Sequence, residues 1–472
     1  MPAAEPSLTR QLARWQCAQR RLGFGAGLRV QAAQFLLDWL GCALAGCATP
    51  SGRRFLDYAA DAAAGPAWVV GGDGGRSAEV AALVNGALSH IVEMDDVHRE
   101  SVLHPAAVVM PAALAAAHAA AYAATQAPPP PLATRVPAAI TGQDLLDAVI
   151  AGYEAMIRVG EAVGRRHYYH FHNTATCGVF GAAAAAGWLY RLDEDALTHA
   201  FGNAGTQAAG LWQFNAEGVD TKPLHPGRAA AAGVLAADLA ARGFTGAEQI
   251  LEGARGLFAG MAPDAEPARV VAGLGSDALR ITRNTLKPHA SCRHTHAPID
   301  AALELRAAHG VPDPADVEAL DIATYAAALD LCDRPEPGSE AEAKFSLQYC
   351  VATALVHGDA GLEAFAGPRR ADPGTRALMA RIHPRVDPHR DGLYPVTWSA
   401  ELTLQQRDGS VQRAVQEQPK GDPENPLSAA EVVAKFMGLA VAGGHTEAAA
   451  QALRQWVEAL PHGTQPLAAP PG

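Results

Sequence analysis

Three stretches of this chain consist almost entirely of alanine, glycine and other small apolar residues. They cover residues 106–117, 178–187 and 229–233. Alanine has the strongest intrinsic preference for the α-helix, and side chains this small let neighbouring helices approach closely. Segments rich in valine, isoleucine and threonine, which would favour strands, are few. The sequence therefore predicts a mainly helical protein with tightly packed helices.

The spacing of apolar residues predicts a series of helices as far as about residue 274. These predicted helices cover residues 30–45, 77–92, 105–124, 141–160, 178–190, 193–209 and 227–242. Thr141 is the predicted N-cap of its helix, with Asp144 completing a variant of the capping box. The proline-rich segment 126–137 is predicted to be a non-helical connection, because successive prolines remove hydrogen-bond donors.

A different pattern begins at about residue 277. Alternating residues predict strands at 317–325, 380–386, 397–405 and 410–416, of which the last two form a hairpin through the turn at 407–409. Helices are predicted between them at 294–309, 342–357 and 373–381, and again at 428–443 and 446–459. We therefore expect a large all-helical domain, residues 1–276 and 418–472, with a smaller α+β lid domain, residues 277–417, inserted into it.

Composition excludes several classes of protein. The net charge of −12 argues against nucleic-acid binding, which needs a basic surface. Seven widely spaced cysteines without a C-x-x-C pair indicate neither a disulfide scaffold nor a zinc ribbon, and the N-terminus lacks a signal-peptide pattern. The alanine-rich runs are interpreted as buried helices, with no membrane partner. We expect a cytoplasmic protein.

Charged residues are unusually dense in the segment SHIVEMDDVHRESVLHP at 89–105. Only 18% of the chain is charged, and the apolar run 106–117 follows directly. A histidine beside carboxylates can act as an acid, a base or a metal ligand. This segment is therefore the first candidate site.

Three further segments combine cationic or titratable side chains with the start of a small-residue helix or with one another. They are FHNTATCGVFGAAAAAG at 171–187, TKPLHPGRAAAAG at 221–233 and KPHASCRHTHAPID at 287–300. Helix N-termini and lysines both favour anions, and lysine is scarce in this chain. The spacing around Cys292 and His294 matches no strong zinc pattern, so oxyanion binding fits better than a metal site.

These segments, together with LVNGALSHIVEMDDVHRESVLHP at 83–105, GYE at 152–154 and FSLQYCVATAL at 345–355, resemble the MmgE/PrpD family. That family includes 2-methylcitrate dehydratase, cis-aconitate decarboxylase and iminodisuccinate epimerase. The resemblance runs from about Leu12 to Ala440. It implies a helical domain with an α+β lid, an active site between them, a homodimer, and no metal or organic cofactor.

The resemblance also implies the site residues. It places them at Asp96, His104, His172, Lys222, Lys287 and Tyr349. For catalysis we propose His104 and Asp96 of the first candidate segment and His172 of the second, and the resemblance adds Tyr349. Carboxylate binding is assigned to Lys222, Lys287, Arg293 and Cys292.

The sequence departs from the family pattern at three positions. Val97 stands where many members have threonine, and Glu93 stands where aspartate is frequent. Cys292 occupies a position that resembles a histidine of the decarboxylase. These differences count against decarboxylation of cis-aconitate.

The predicted function is a cofactor-independent dehydratase acting on a hydroxylated di- or tricarboxylate such as 2-methylcitrate. Its chemical problem is a weakly acidic proton next to a carboxylate, which requires a placed base and cations against the developing charge. Three alternatives stay open. They are an epimerase or isomerase using the same proton abstraction, a cis-aconitate-type decarboxylase, and a non-enzymatic or metal-dependent protein using the histidine-rich segments.

Overall fold

The structure is a computed structural model that describes residues 5–126, 139–276 and 278–471. Apart from Gln126, the proline-rich connection predicted at 126–137 lies outside the described residues. Within them the chain forms a large helical domain and a smaller domain with a mixed sheet, which confirms the predicted fold class.

Helices dominate the first part of the chain. Their bounds are α1 Leu8–Leu22, α2 Ala26–Cys47, α3 Pro50–Asp61, α4 Ala78–His90, α5 Ala106–Ala123, α6 Gly142–Ala162, α7 Arg165–His170, α8 Asn173–Thr176, α9 Gly178–Leu189, α10 Glu194–Gly205, α11 Gln213–Glu217, α12 Leu224–Ala241 and α13 Leu257–Met261. The capping box predicted at Thr141 and Asp144 is present at the start of α6. A short strand, β1 Ala64–Ala67, lies in the part of the chain for which we predicted helices and no strand.

Small residues let the central helices touch at their backbones. A Cβ atom placed on Gly86 of α4 would lie 2.8 Å from the Cα of Gly227 in α12, and one on Gly227 would lie 2.2 Å from the carbonyl oxygen of Leu83. Between α12 and α9, a Cβ on Gly233 would lie 2.3 Å from the Cβ of Ala182. These contacts fix α4 and α12, whose ends carry two of the candidate segments.

The second domain is built on a four-stranded sheet. Its strands are β4 Val317–Thr324, β5 Ile382–Val386, β6 Ala400–Gln406 and β7 Val411–Gln416, in the order β5-β4-β6-β7. The predicted hairpin pairs β6 with β7, whereas β4 and β5 are parallel. The helices of this domain are α14 His296–His309, α15 Ala326–Cys332, α16 Glu340–Ala343, α17 Leu347–His357, α18 Gly367–Arg370, α19 Pro373–Met379 and α20 Pro388–Leu393.

Two features join the domains. The two-stranded ribbon of β2 Val97–His98 and β3 Asn284–Thr285 ties the first candidate segment to the chain that enters the lid. After the sheet, α21 Ala429–Ala442 packs against α2, and α22 Glu447–Ala459 follows it. On α21, Lys435 lies with Nζ 2.5 Å from a carboxylate oxygen of Asp38 and donates to the carbonyl of Met94.

Among the residues that the structure describes, two helices are long and apolar enough to cross a membrane, by length and composition alone. They are Ala26–Cys47 and Ala106–Ala123. In each, 78% of the most apolar window is buried inside the protein. Both helices thus belong to the packed core of the helical domain.

Candidate active site

The candidate site is built around the irregular segment that joins α4 to α5. This segment contains two non-glycine residues with positive φ, Glu93 at 59° and Val102 at 47°. Such a conformation is unfavourable, above all for β-branched valine, and persists only where the surroundings enforce it. Glu93, Asp95, Asp96 and Arg99 are buried, whereas Glu100 is half-buried.

Asp95 is the carboxylate that organises the histidines. Its Oδ2 lies 2.7 Å from His90 Nδ1 and 3.4 Å from His104 Nδ1. Burial opposes the carboxylate charge, but the two neighbouring imidazoles outweigh it and hold the pKa of Asp95 well below its usual range. Asp95 therefore stays ionised, holds the His90 ring by a hydrogen bond and lies within ion-pair distance of His104.

His104 is held as a base. Its Nδ1 donates to the main-chain carbonyl of Asp96 across 2.6 Å. Because a carbonyl can only accept, Nδ1 carries the proton, and in the neutral ring Nε2 keeps its lone pair. Burial keeps the pKa of His104 well below its usual range, so the ring is neutral.

Asp96 does not have the position expected of a catalytic partner. Its carboxylate accepts from the Tyr153 hydroxyl at 2.7 Å, from the Ala106 amide at 2.9 Å and from the Asn284 amide. Burial raises its pKa to about 8. The side chain thus ties the loop to α5, α6 and β3, and the carboxylate beside His104 is that of Asp95.

Glu93 brings the two predicted lysines together. Lys222 Nζ lies 2.5 Å from one Glu93 oxygen, and Lys287 Nζ lies 3.5 Å from the other. Burial opposes all three charges. At Glu93 the two lysine charges outweigh burial, and the pKa falls to about 2. At Lys222 the charge of Glu93 outweighs burial, and the pKa rises. At Lys287 burial is the larger effect, and the pKa is lowered.

His172, at the start of α8, completes the helical-domain side. Its Nδ1 lies 3.2 Å from Nδ1 of His225, and its ring packs against Trp212 with centroids 4.8 Å apart. Burial keeps the pKa of His172 well below its usual range and lowers that of His225 to about 4. Two neutral rings in this contact form one donor–acceptor pair.

The lid contributes Cys292, Arg293 and His294, which lie in the turn that leads directly into α14. Arg293 forms an ion pair with Asp422 at 2.6 Å, so its charge is already balanced. A hydrogen bond with the Cys332 thiol lowers the pKa of Cys292.

Tyr349 lies apart from these residues. Its hydroxyl donates to the carbonyl of Ala364, and its ring packs on Phe365 in the core of the lid. The structure does not bring Tyr349 to the site, so the catalytic assignment we made for it has no geometric support.

Five of the predicted residues line a small cavity of about 20 Å³ between the two domains, here called the inner pocket: His104, His172, Lys222, Cys292 and Arg293. Its walls are Glu93, Val97, Val102, His104, Tyr168, His172, Trp212, Lys222, Cys292, Arg293, His294, Leu331, Phe345 and Trp398. Lys287 is fully buried behind Glu93 and is not part of this wall.

A larger cavity of about 1000 Å³, here called the outer cleft, adjoins the inner pocket. Val102, Tyr168, Trp212 and Leu331 line both spaces, so these four side chains form the boundary between them.

Three imidazoles of the site are close enough to suggest a metal. One ring nitrogen from each of His90, His104 and His172 lies within 4.8 Å of the others. A tetrahedral zinc site with bonds near 2.0 Å has ligand atoms about 3.3 Å apart, so the rings would have to draw together to hold an ion.

Sequence reasoning placed the segments correctly but missed several members of the site. It proposed Asp96 as the carboxylate partner of His104, whereas the structure places the carboxylate of Asp95 near that ring. Two adjacent aspartates do not show by themselves which one faces the histidine. It named no partner for the lysines, although Glu93 lies in the first candidate segment. It also assigned no role to His90, His225 or His294.

A helical protein with a lid and a buried histidine–carboxylate pocket between the domains is suited to acid–base catalysis. Two family models match the chain, the MmgE/PrpD N-terminal domain over residues 10–270 and the MmgE/PrpD C-terminal domain over residues 289–460. The chain belongs to the MmgE/PrpD family and is an enzyme of that family. The C-terminal family model includes residues 418–460, which we assigned to the helical domain.

Curated relatives carry a more specific name. The chain is 27% identical to the cis-aconitate decarboxylase-like protein oryM of Aspergillus oryzae, over 92% of this chain and 91% of that protein. It is 29% identical to a cis-aconitate decarboxylase of Aspergillus terreus over 64% and 61%, respectively. It is 27% identical to the cis-aconitate decarboxylase of Mus musculus over 87% and 82%.

Proposed function

We propose that this enzyme is a cofactor-independent lyase that eliminates water from a small hydroxylated di- or tricarboxylate such as 2-methylcitrate. In this reaction a base removes a proton from the carbon next to a carboxylate, the carbon–carbon double bond forms, and the hydroxyl group leaves with a proton as water.

The observation that supports the proposal is the hydrogen bond from His104 Nδ1 to the Asp96 carbonyl. It leaves Nε2 as an acceptor, and burial keeps the ring neutral. Elimination begins with proton removal, for which this tautomer is ready. Decarboxylation instead needs a proton delivered to carbon. Nε2 of a neutral His104 does not carry that proton, so another group such as His172 would have to supply it.

The other groups have roles that follow from their places. Lys222 is the ammonium group in the wall of the inner pocket and faces the negative charge that develops as the proton leaves. His172, paired with His225, is placed to deliver the proton to the departing hydroxyl. Asp95 stabilises the imidazolium that forms at His104, because its ionised carboxylate lies 3.4 Å away.

A substrate of this class needs more room than the inner pocket has. A space of about 20 Å³ holds roughly one water molecule. We therefore infer that the boundary formed by Val102, Tyr168, Trp212 and Leu331 moves when substrate enters from the outer cleft. Closure behind the substrate would then exclude water, as lids do in many enzymes.

Decarboxylation is the second candidate, since the curated relatives described above are named as decarboxylases. Epimerisation is the third, because it shares the proton abstraction at His104. Dehydration releases water, decarboxylation releases carbon dioxide, and epimerisation releases neither, so each reaction can be measured separately.

The test incubates metal-depleted enzyme with a panel containing 2-methylcitrate, related hydroxy acids, cis-aconitate and dicarboxylates. Ultraviolet absorbance of a new double bond reports dehydration, released carbon dioxide reports decarboxylation, and deuterium uptake at carbon without loss of water reports epimerisation. Dehydration that is lost in His104→Ala supports the proposal. Carbon dioxide release without any dehydration, or no turnover across the panel, overturns it.

A further inference from the structure

His294 is a buried imidazole of the lid that the proposed proton transfers do not use. It is 2% exposed and sits in the turn that leads into α14. Nδ1 lies 2.9 Å from the hydroxyl of Tyr325, and the ring stacks on Trp398 with centroids 4.4 Å apart and an interplanar angle of 4°. The hydrogen bond fixes the rotation of the ring, and the stacking fixes its plane.

The other ring nitrogen has no protein partner. Nε2 of His294 is buried and makes no hydrogen bond to any residue that the structure describes. A buried polar atom in this state has lost its hydration without gaining a partner, which is unfavourable, so native proteins rarely keep one. The side chain lines the inner pocket together with Lys222 and His104.

We propose that His294 is a substrate-binding residue, and that its Nε2 donates a hydrogen bond to a carboxylate of the substrate other than the one beside the reacting carbon. The inference rests on the proposed substrate class, a small polycarboxylate, and goes beyond it by naming the group that recognises the second carboxylate. His294 belongs to the lid, whereas His104 and Lys222 belong to the helical domain. One substrate would therefore contact both domains.

Tyr325 acts as a positioning residue in this arrangement. When its hydroxyl donates to Nδ1, the proton of the neutral ring resides on Nε2 and points to the ligand. The Tyr325 ring is itself stacked on Tyr394 with centroids 4.7 Å apart. Burial, together with the charges of Lys222 and Arg293, lowers the pKa of His294 to about 3, so the donor is an uncharged imidazole.

A purely structural role would give a different result on substitution. If His294 only fills the space beside Trp398, phenylalanine would serve as well, because it preserves the stacking. The matched variants are therefore His294→Phe, which removes both nitrogens, and His294→Gln, which retains an amide donor. Tyr325→Phe tests the positioning role without touching the pocket.

The experiment measures binding of tricarballylate, a saturated tricarboxylate without a hydroxyl to eliminate, by titration calorimetry of the full chain. His294→Phe should weaken binding roughly 10- to 100-fold, the value of a hydrogen bond to a charged group. His294→Gln should recover part of the loss. Tyr325→Phe should raise the Kd and the KM of a turned-over substrate by a smaller factor, with little change in kcat.

An unchanged Kd in His294→Phe overturns the inference, as does a wild-type enzyme that does not bind the probe. Thermal unfolding of each variant shows whether a loss of tricarballylate binding comes from misfolding. If His294→Phe does not fold, wild type is compared with His294→Gln instead. Because binding is measured without turnover, the two proposals separate. Binding that depends on His294 in an enzyme that dehydrates nothing would preserve this inference and reject the proposed function.

Discussion

Nδ1 of His104 lies 3.4 Å from the carboxylate of Asp95, and the same carboxylate holds His90 at 2.7 Å. One buried acid therefore lies beside two imidazoles, of which His104 lines the inner pocket. This arrangement makes His104 the group whose loss should be most damaging to catalysis.

Replacing His104 by alanine should lower kcat/KM at least about 100-fold, the contribution typical of a positioned base. The free energy of unfolding should fall by about 1–3 kcal/mol, because the main-chain carbonyl of Asp96 loses its hydrogen bond. Steady-state kinetics and urea unfolding measure the two quantities. His199→Ala, remote from the pocket and bonded to the Gly246 carbonyl, is the control. A fully active His104→Ala enzyme would exclude His104 as the base.

Substitution of the two lysines should affect different properties, catalysis for Lys222 and stability for Lys287. Lys222→Met removes the ammonium group from the pocket wall and should lower kcat/KM at least about tenfold, since an electrostatic contact to the reacting anion is lost. Lys287→Met removes a fully buried partner of Glu93. It should chiefly lower the free energy of unfolding, by about 3–5 kcal/mol, because Glu93 loses part of its compensation.

Kinetics and denaturant unfolding of both variants provide the comparison. Equal losses of kcat/KM per folded molecule would mean that both lysines contact substrate, as the sequence alone suggested. A stable Lys287→Met protein would contradict the role inferred from its burial.

Local signals in the sequence predicted much of the fold. Thr141 with Asp144 marked the start of α6, and the turn at 407–409 marked the β6–β7 hairpin, because capping and turn chemistry depend on neighbouring residues. The parallel pairing of β4 with β5 was not predicted, since the two strands lie far apart in sequence and only tertiary contacts align them.

The site was predictable as a set of segments and not as a set of contacts. Asp95 and Asp96 are adjacent, and their different roles arise from a loop with positive φ at Glu93 and Val102, which no periodic pattern reveals. Tyr349 was assigned through the family resemblance, but the packing of α17 turns its hydroxyl toward Ala364. Side-chain direction in irregular segments is set by tertiary packing.

The contact between α4 and α12 offers a test of how packing supports the site. Gly227→Ala would place a Cβ 2.2 Å from the carbonyl oxygen of Leu83, a backbone atom that cannot rotate away. The helices must separate, which should lower the free energy of unfolding by about 1–3 kcal/mol. Activity should fall as well, since Lys222 lies just before α12 and Glu93 lies just after α4.

Gly438→Ala is the matched control, because it lies in the exposed middle of α21 with nothing within 4 Å of the new Cβ. It should raise the free energy of unfolding by about 0.5–1 kcal/mol through helix propensity. Denaturant unfolding measures both. Equal free energies of unfolding in the two variants would show that the α4–α12 contact can accommodate the added methyl group, contrary to the distances in the structure.

Asp96→Asn should change the pH dependence of stability. Burial raises the pKa of Asp96 from 3.8 to about 8. Between these values the folded carboxyl keeps its proton while the unfolded one is ionised, so the unfolded chain binds fewer protons. Stability must then fall as pH rises through this window, by up to about 1.4 kcal/mol per unit, and level off above pH 8.

Asparagine has no proton to lose, so the variant should lack this slope. The measurement is the free energy of unfolding in urea from pH 5 to 9 for wild type, Asp96→Asn and the exposed control Asp73→Asn. The wild type should lose stability relative to Asp96→Asn up to about pH 8, and the control should follow the wild type. A difference independent of pH would mean that Asp96 is ionised in the folded protein, held by the donors at Tyr153 and Asn284.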